Sequence, residues 1–161
     1  MGSGTRNLRS EERRVGKEGD DPKYLKVAAC AKHYAVHSGP ENLRHEFDAA
    51  VSIKDLRETY LPAFRDAVKE AKVEAVMGAY NRVNGEPACA SSTLLQQILR
   101  QEWGFNGHVV SDCGAIQDLH KHHRYTSTPE ESAAIAVKNG CDLNCGTVFR
   151  KLSNAVEKGL I

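Results

Sequence analysis

The stretch NGHVVSDCGAI (residues 106–116) places a turn, a short β-branched run and an acidic residue in immediate succession. Asn106-Gly107 is a typical turn pair, and the run that follows it predicts a strand over residues 108–111. Asp112 stands where this apolar strand stops. An acid at such a position either caps a following turn or helix or is the reacting group of an enzyme, and the rest of the chain has to distinguish the two interpretations.

The alternation of strand and helix extends to both sides of this stretch. Apolar runs predict three further strands, at residues 24–35, 74–80 and 141–145, and Asn84-Gly85 predicts a turn after the second of these. Cap residues and helical spacing predict four helices: one after Ser52 that Pro62 kinks or splits, one capped by Ser91 or Ser92, one from Thr128 to Asn139-Gly140, and one over residues 148–160. Repeated strand–helix units predict parallel strands joined by crossover helices, which is an α/β fold.

Both a doubly wound sheet and a barrel contain such units. No GxGxxG or Walker motif occurs, which disfavours a nucleotide-binding sheet. A (β/α)8 barrel needs about 250 residues, whereas the chain has 161 residues. The chain therefore holds about half of such a barrel.

The composition indicates an ordinary globular protein, with 40% hydrophobic and 27% charged residues. The net charge of +1 predicts neither a nucleic acid nor an anionic membrane as a partner. The five cysteines form no CxxC pair, and their odd number leaves at least one thiol unpaired within the chain. We expect mostly free, buried thiols, with the Cys141–Cys145 spacing as a weak indication of a disulfide or a metal site.

Residues 1–18 have little apolar content and no periodicity. Residues 9–18 (RSEERRVGKE) resemble the translation of a sequencing-adapter oligonucleotide, so we expect residues 1–18 to be a disordered or artefactual leader. A natural, solvated basic arm is the alternative. The domain is then predicted to span residues 19–161, with natural sequence missing before Gly19.

Polar residues collect where the predicted strands end. Lys32-His33 ends the first strand, Tyr80-Asn81 the second, Asp112 the third, and Asp142 or Asn144 lies on the fourth. Active sites lie at this edge in barrels and in open α/β sheets. Taken singly, a strand-end Asp is more often a cap, a Lys an ion-pair partner and a His a structural residue, so the prediction of a site rests on their coincidence.

Four motifs together resemble glycoside hydrolase family 3, and in particular its β-glucosidase and β-xylosidase members. They are KHYAVHSGPENLRHEFDA, VMGAYNRVNGEPACAS, ILRQEWGFNGHVVSDCGAI and KNGCDLNCG. The resemblance covers about residues 20–161. It implies the carboxyl-terminal half of the family's amino-terminal catalytic domain, which is a partial (β/α)8 TIM barrel of about four βα units.

The resemblance also implies roles for individual residues. Asp112 matches the family's catalytic nucleophile, which forms a covalent glycosyl-enzyme in a retaining double displacement. Lys32 and His33 match the pair that binds hydroxyls of the attacked sugar. Arg44 matches a sugar-binding arginine, one residue further on than in some members, and Tyr80 matches a tyrosine near the nucleophile. Lys32 and Arg44 are also expected to keep the neighbouring carboxylate ionised.

Two departures qualify the resemblance. Cys113 stands where many members have a tryptophan after the nucleophile, as is typical of xylosidase-type or broad-specificity members. The family's β-N-acetylhexosaminidases carry an Asp-Ser-His acid/base pair on the loop after the Lys-His pair. Here that loop reads Leu43-Arg44-His45. We reject this branch because His45 lacks an adjacent acid to fix its tautomer.

In the glucosidase branch the acid/base is a glutamate of a downstream domain. The missing barrel half and that domain are therefore implied partners of this chain, which we expect to be inactive alone. Glu41 and Glu46 are candidates for substrate contact or solvated charge only. The segment HKHH (residues 120–123) predicts a solvated or substrate-rim loop rather than a metal site, and the resemblance implies no cofactor and no metal.

The predicted function is hydrolysis of terminal non-reducing β-D-glucosides or β-D-xylosides, with β-linked oligosaccharides or aryl glycosides as substrates. Besides the β-N-acetylhexosaminidase activity of the same family, which the loop sequence disfavours, two alternatives remain at this point. One is a non-catalytic sugar-binding half barrel that uses the same edge without turnover. The other is a barrel aldolase or lyase in which Lys32 forms a Schiff base, which requires a desolvated lysine.

Overall fold

The computed structural model describes residues 27–37 and 39–161. The predicted leader, residues 1–18, lies outside the described residues. The described part contains the strands β1 (Cys30–Tyr34), β2 (Asp48–Ala49), β3 (Ala75–Gly78), β4 (Arg82–Val83), β5 (Glu86–Pro87) and β6 (His108–Ser111). It contains the α-helices α1 (Ile53–Asp55), α2 (Pro62–Lys69), α3 (Ala115–Lys121), α4 (Pro129–Lys138) and α5 (Leu152–Glu157), the π-helical segments Leu56–Tyr60 and Ser92–Glu102, and short 3-10 turns at Glu41–Leu43, Ala88–Ala90 and Val148–Lys151.

The central sheet is parallel, with the strand order β1-β3-β6. Val76 pairs with Ala31 on one side and with Val109 on the other. Chain order and spatial order therefore agree, and the carboxyl ends of all three strands meet at one edge. This sheet and its flanking helices confirm the predicted α/β class, while the completed barrel stays a prediction.

The predicted fourth strand is much shorter than expected. Residues 141–145 reach the sheet through a single parallel bridge between Val110 and Leu143. The backbone N–H groups of Asp142 and Leu143 both donate to the Val109 carbonyl, and the Ser111 N–H donates to the Leu143 carbonyl, so the pairing with β6 is centred on this one bridge. Asp142 also accepts from the Val109 N–H through its side chain and pairs with Arg100, which makes it a structural residue on this strand.

A second, smaller sheet carries the loop on which Arg44 and His45 lie. Its order is β2-β4-β5, with β2 parallel to β4 and β4 antiparallel to β5. Asn84 and Gly85 connect β4 to β5 with φ angles of 51° and 88°, which is the hairpin geometry that an Asn-Gly pair favours. The Asn-Gly turn is thus confirmed. The sheet itself was not predicted, because strands of two residues have no periodicity.

Local cap chemistry explains where the helices begin. Ser52 accepts a hydrogen bond from the Asp55 N–H, and Ser91 accepts one from the Leu94 N–H. Thr128 and Glu131 form a reciprocal capping box with Pro129 at the first helical position. Pro62 begins α2 directly after the π-helical segment, so the predicted interruption is confirmed. Helix α3 was not predicted.

No described helix is long and apolar enough to cross a membrane.

The core lies between the central sheet and the helices that cover it. Tyr34, Val76, Leu95, Leu99 and Val109 are fully buried. The hydroxyl of Tyr34 donates to the Leu94 carbonyl at 2.9 Å, which satisfies the one polar group of this side chain. β1 and β6 are thereby held at fixed positions, and the residues at their carboxyl ends are held with them.

The cysteine pairing corrects the sequence-based expectation. Cys113 and Cys145, 32 residues apart, form a disulfide, so the expectation that they are free thiols is wrong. The Cys141–Cys145 disulfide or metal interpretation is wrong as well, since Cys141 is a free, buried thiol. Cys89 is also buried and free, as expected, whereas Cys30 is free but exposed.

Gly107, directly before β6, allows a prediction about stability. A Cβ on Gly107 would overlap the backbone carbonyl of Glu74, which accepts the first hydrogen bond between β3 and β6 from the His108 N–H. Gly107→Ala should lower the free energy of unfolding by about 2 kcal/mol, the usual cost of overpacking. Urea unfolding followed by circular dichroism measures it. Asn106→Ala, at the preceding residue, is the control. Equal free energies of unfolding for the two variants would contradict the steric argument.

Candidate active site

Asp112 lies at the carboxyl end of β6, at the centre of the polar edge. Its backbone N–H donates to the Gly78 carbonyl at 3.2 Å, which ties it to β3. Its Oδ1 accepts from the Cys113 N–H at 2.8 Å, and the side chain is 14% exposed. Although the sequence left open a capping role, the acid does not cap α3: Gly114 is the N-cap of that helix and no side chain caps it.

His33 comes from the carboxyl end of β1 and reaches Asp112 across the sheet. The distance between His33 Nε2 and Asp112 Oδ2 is 3.2 Å. Burial lowers the pKa of His33, while the carboxylate of Asp112 opposes that shift. The neutral imidazole can therefore donate a hydrogen bond to the carboxylate without neutralising it.

Tyr80 follows β3 and packs against the same carboxylate. Its hydroxyl donates to the Cys113 carbonyl at 2.8 Å. Burial, and after it the nearby negative charge of Asp112, raises the pKa of Tyr80. The phenol is therefore a hydrogen-bond donor at neutral pH, and it fixes the Cys113–Gly114 peptide, one residue beyond Asp112.

Neither Arg44 nor Lys32 forms an ion pair with Asp112 within the described residues. The guanidinium of Arg44 stands over the Tyr80 ring at 5.7 Å from the centroid and pairs with the exposed Glu41 at 2.7 Å. Lys32 is exposed and has no ion pair within the described residues. Lys32 and His33 line an open groove of about 290 Å³ together with Tyr60. The exposure of Lys32 disfavours the Schiff-base alternative, which needs a desolvated amine.

The Cys113–Cys145 disulfide closes the other side of the candidate site. The Cys145 carbonyl accepts from the Gly114 N–H at 2.8 Å, and the Cys145 N–H donates to the buried Ser111 hydroxyl at 3.0 Å. The Ser111 hydroxyl also accepts from the Asn144 amide at 3.1 Å. Asn144 therefore lies at the polar edge as predicted, and its contact with Ser111 is a structural one.

The sequence interpretation missed Asp118 and its partners. Asp118 Oδ2 lies 2.7 Å from His45 Nδ1, and Asp118 Oδ1 lies 3.7 Å from His122 Nε2. The expectation that His45 has no acid to fix its tautomer is therefore wrong: the acid comes from α3 rather than from the neighbouring residue. The apolar pair Ile116 and Leu119, at helical spacing after Gly114, was the signal for this helix.

The three histidines of the HKHH segment point to different surroundings. His120 Nδ1 is 2.9 Å from the Ser132 hydroxyl, whereas His122 faces Asp118. His123 is buried, and burial followed by the charge of Arg82 lowers its pKa to about 4. No group of three or more potential metal ligands converges within the part of the chain that the structure describes.

The parallel strands present a carboxylate, an imidazole and a phenol at one carboxyl edge. This is the edge at which α/β enzymes have their active sites. The model of the glycosyl hydrolase family 3 N-terminal domain matches residues 8–161. The chain belongs to glycoside hydrolase family 3, as its motifs predicted.

Related proteins agree with this assignment. The chain is 50% identical over 145 residues to a xylan 1,4-β-xylosidase of Xylanibacter ruminicola, which is 88% of this chain and 17% of that protein. A solved family 3 exo-β-xylosidase, in complex with a xylobiose aziridine activity-based probe, matches with a TM-score of 0.85 and 36% identity over 96% of this chain and 21% of its own. A β-glucosidase of Listeria innocua matches with a TM-score of 0.75 and 31% identity over 84% of this chain and 19% of its own. The chain thus spans about a fifth of each of these relatives.

Proposed function

We propose that the chain is the carboxyl-terminal half of the catalytic (β/α)8 barrel of a retaining β-glycosidase that removes terminal non-reducing β-D-xylosyl residues. The observation that carries the proposal is the 3.2 Å contact between His33 and Asp112 at the carboxyl edge of the sheet. The names of the relatives at about 50% identity favour xylosides over glucosides. Cys113, in place of the tryptophan that many members carry, favours the same substrates.

The reaction proceeds in two displacements. Asp112 attacks the anomeric carbon, the glycosidic C–O bond breaks, and a proton supplied by an acid/base residue outside this chain goes to the leaving oxygen. Water then attacks the anomeric carbon and gives up a proton to the same residue, and the C–O bond between the sugar and the Asp112 carboxylate breaks. Two inversions retain the configuration, and Asp112 is regenerated.

The neighbours of Asp112 orient it and bind the sugar. His33 holds one carboxylate oxygen and the Cys113 N–H the other, so the attacking lone pair has a fixed direction. Tyr80 holds the Cys113–Gly114 peptide through the Cys113 carbonyl. Lys32 and Arg44 supply charged donors for sugar hydroxyls. These hydrogen bonds strengthen in the oxocarbenium-like transition state. The buried Arg44 Nε has no hydrogen-bond partner among the described residues.

The acid/base residue and the first half of the barrel are proposed to lie in other segments of a complete enzyme, and the chain spans 17% of its Xylanibacter ruminicola relative. The parallel sheet with the order β1-β3-β6 leaves β1 as an unpaired edge within the described residues, where the other barrel half would pair. We therefore expect no turnover by the chain by itself.

A segment exchange tests this function. The chain replaces the matching 145-residue segment of the Xylanibacter ruminicola relative, and the chimera is assayed on p-nitrophenyl β-xyloside and β-glucoside. We expect hydrolysis with retention, with β-xyloside preferred, and no hydrolysis by the chain alone. A soluble, folded chimera that binds xylose without hydrolysing either glycoside would instead support the sugar-binding alternative.

A further inference from the structure

A second polar cluster lies beside the candidate active site, and none of the roles above uses it. His45 lies on the loop after the 3-10 turn Glu41–Leu43, Asp118 lies on α3, and His122 ends that helix. Asp118 and His45 are 73 residues apart, and their 2.7 Å hydrogen bond exists only through the tertiary fold. We refer to these three residues as the His45–Asp118–His122 cluster.

Asp118 fixes the orientation and the tautomer of His45. Its side chain is only 6% exposed, and burial raises its pKa while the hydrogen bond from His45 opposes that rise. A buried carboxylate must be hydrogen-bonded to remain stable, and an ionised one can only accept. His45 therefore donates from Nδ1, which leaves Nε2 as an acceptor whenever the ring carries a single proton.

The cluster stands one aromatic ring away from Asp112. The His45 ring packs edge-to-face on the Tyr80 ring, with 4.7 Å between centroids, and the Tyr80 hydroxyl donates to the carbonyl of Cys113, the residue after Asp112. The side chains of His45 and His122 are 48% and 40% exposed, and their rings lie 5.5 Å apart. No hydrogen bond to His45 Nε2 is found within residues 27–37 and 39–161.

This geometry fits a sugar that is bound next to the attacked one. The attacked sugar must contact Asp112, so the leaving sugar lies further out on the same edge. An oriented Nε2 acceptor serves a sugar hydroxyl, and two half-exposed imidazole rings offer flat surfaces to the C–H face of a pyranose. We propose that His45 and His122 bind the leaving sugar of a β-linked oligosaccharide, with Asp118 as the positioning residue for His45. This inference deepens the proposed function and rests on it.

Two isosteric substitutions separate the roles of the ring nitrogens in the chimera. Asn places its amide nitrogen where Nδ1 stands, so His45→Asn keeps the donor to Asp118 and removes Nε2. Gln places a polar atom near Nε2 and loses the donor to Asp118. His45→Asn should lower kcat/KM on xylobiose about tenfold relative to kcat/KM on p-nitrophenyl β-xyloside, mainly through KM. His45→Gln should lower this ratio less.

Asp118→Asn tests the positioning role by a spectroscopic readout. In the unchanged chimera, the 15N shifts of the His45 ring should show Nδ1 protonated and Nε2 bare. An amide can also donate to Nδ1, so Asp118→Asn should give a mixture of tautomers and a reduced xylobiose preference. An unchanged 15N spectrum would overturn the positioning role.

A binding assay distinguishes failure of this inference from failure of the proposed function. Calorimetry with xylobiose and xylose, on a chimera that carries Asp112→Asn, needs no turnover. His45→Asn should lower the affinity for xylobiose about tenfold relative to xylose. His108→Asn, at the opposite end of β6, is the matched control and should leave this ratio unchanged. If His45→Asn leaves the affinity for xylobiose relative to xylose unchanged, the inference is wrong. It is also wrong if His45→Asn lowers kcat and added azide restores it, because azide rescue would mark His45 as the acid/base.

Discussion

Asp112→Asn should lower kcat/KM of the chimera on p-nitrophenyl β-xyloside by ~10⁴-fold or more, the scale expected when a nucleophile is removed. An asparagine has the shape of Asp112, and its carbonyl oxygen can still accept from the Cys113 N–H. The site therefore stays folded, while the group that forms the covalent bond is lost. Sugar binding should survive, because His33, Lys32 and Arg44 remain in place.

Two further measurements identify the attacking atom directly. A 2-deoxy-2-fluoro-β-xyloside should trap the unchanged chimera as an ester on the peptide that contains Asp112, read by mass spectrometry. Asp112→Gly with added azide should yield α-xylosyl azide, since azide then attacks from the vacated side in a single displacement. Asp66→Asn, on the exposed face of α2, is the control and should keep full activity. Nearly full hydrolysis by Asp112→Asn, or a label on another residue, would show that the assignment is wrong.

Removal of the Cys113–Cys145 disulfide should have the second largest effect. The bond closes a loop of 32 residues that contains α3 and α4. A disulfide that closes a loop of this length stabilises the folded protein by about 3 kcal/mol, because it restricts the unfolded chain. Cys113→Ala combined with Cys145→Ala should lower the free energy of unfolding of the chimera by this amount, measured by urea unfolding without reductant.

The same double substitution should reduce activity. The Cys113 carbonyl is the acceptor for Tyr80, and the Cys113 N–H bonds Asp112, so looser backbone there misplaces the carboxylate. We expect kcat/KM to fall about tenfold, within the range that small misplacements cause. Cys30→Ala, at the exposed free cysteine, is the control. Equal stability of the double variant and the unchanged chimera would contradict a stabilising role of the bond.

Native alkylation checks the cysteine pairing independently. Burial raises the pKa of Cys89 well above its usual value and that of Cys141 to about 12. Neither thiol should react with iodoacetamide in the folded protein, because only the thiolate is nucleophilic. Cys30 should be the cysteine that is labelled without reductant, and Cys113 and Cys145 should become reactive only after reduction.

Local chemistry in the sequence predicted much of the fold. The Asn84-Gly85 turn, the caps at Ser52 and Thr128 and the interruption at Pro62 depend on neighbours in the chain, and all were found where expected. Asn106-Gly107 forms only a bend before β6 instead of the predicted turn. The strand at residues 108–111 was confirmed at both ends. Since consecutive parallel strands align their carboxyl ends, the sequence also placed His33, Tyr80 and Asp112 at one edge.

Contacts between distant segments escaped the same reasoning. The two-residue strands of the smaller sheet carry no period of their own and exist because β2 meets a hairpin more than thirty residues away. Helix α3 is short and begins at Gly114 without a side-chain cap, so its sequence signal was weak. Missing that helix meant missing Asp118, and His45 was then judged to lack an acid.

The sequence by itself determined the family, the α/β class and the strand-end position of Asp112, because motifs, periodicity and caps are properties of neighbouring residues. Only the tertiary structure decided which cysteines pair, since a disulfide requires Cα atoms within a few ångströms, and Cys113 and Cys145 lie 4.4 Å apart. It likewise decided that the acid for His45 comes from 73 residues away. Both pairings bring distant loops together at the carboxyl edge of the sheet, and distance in space is what sequence spacing does not contain.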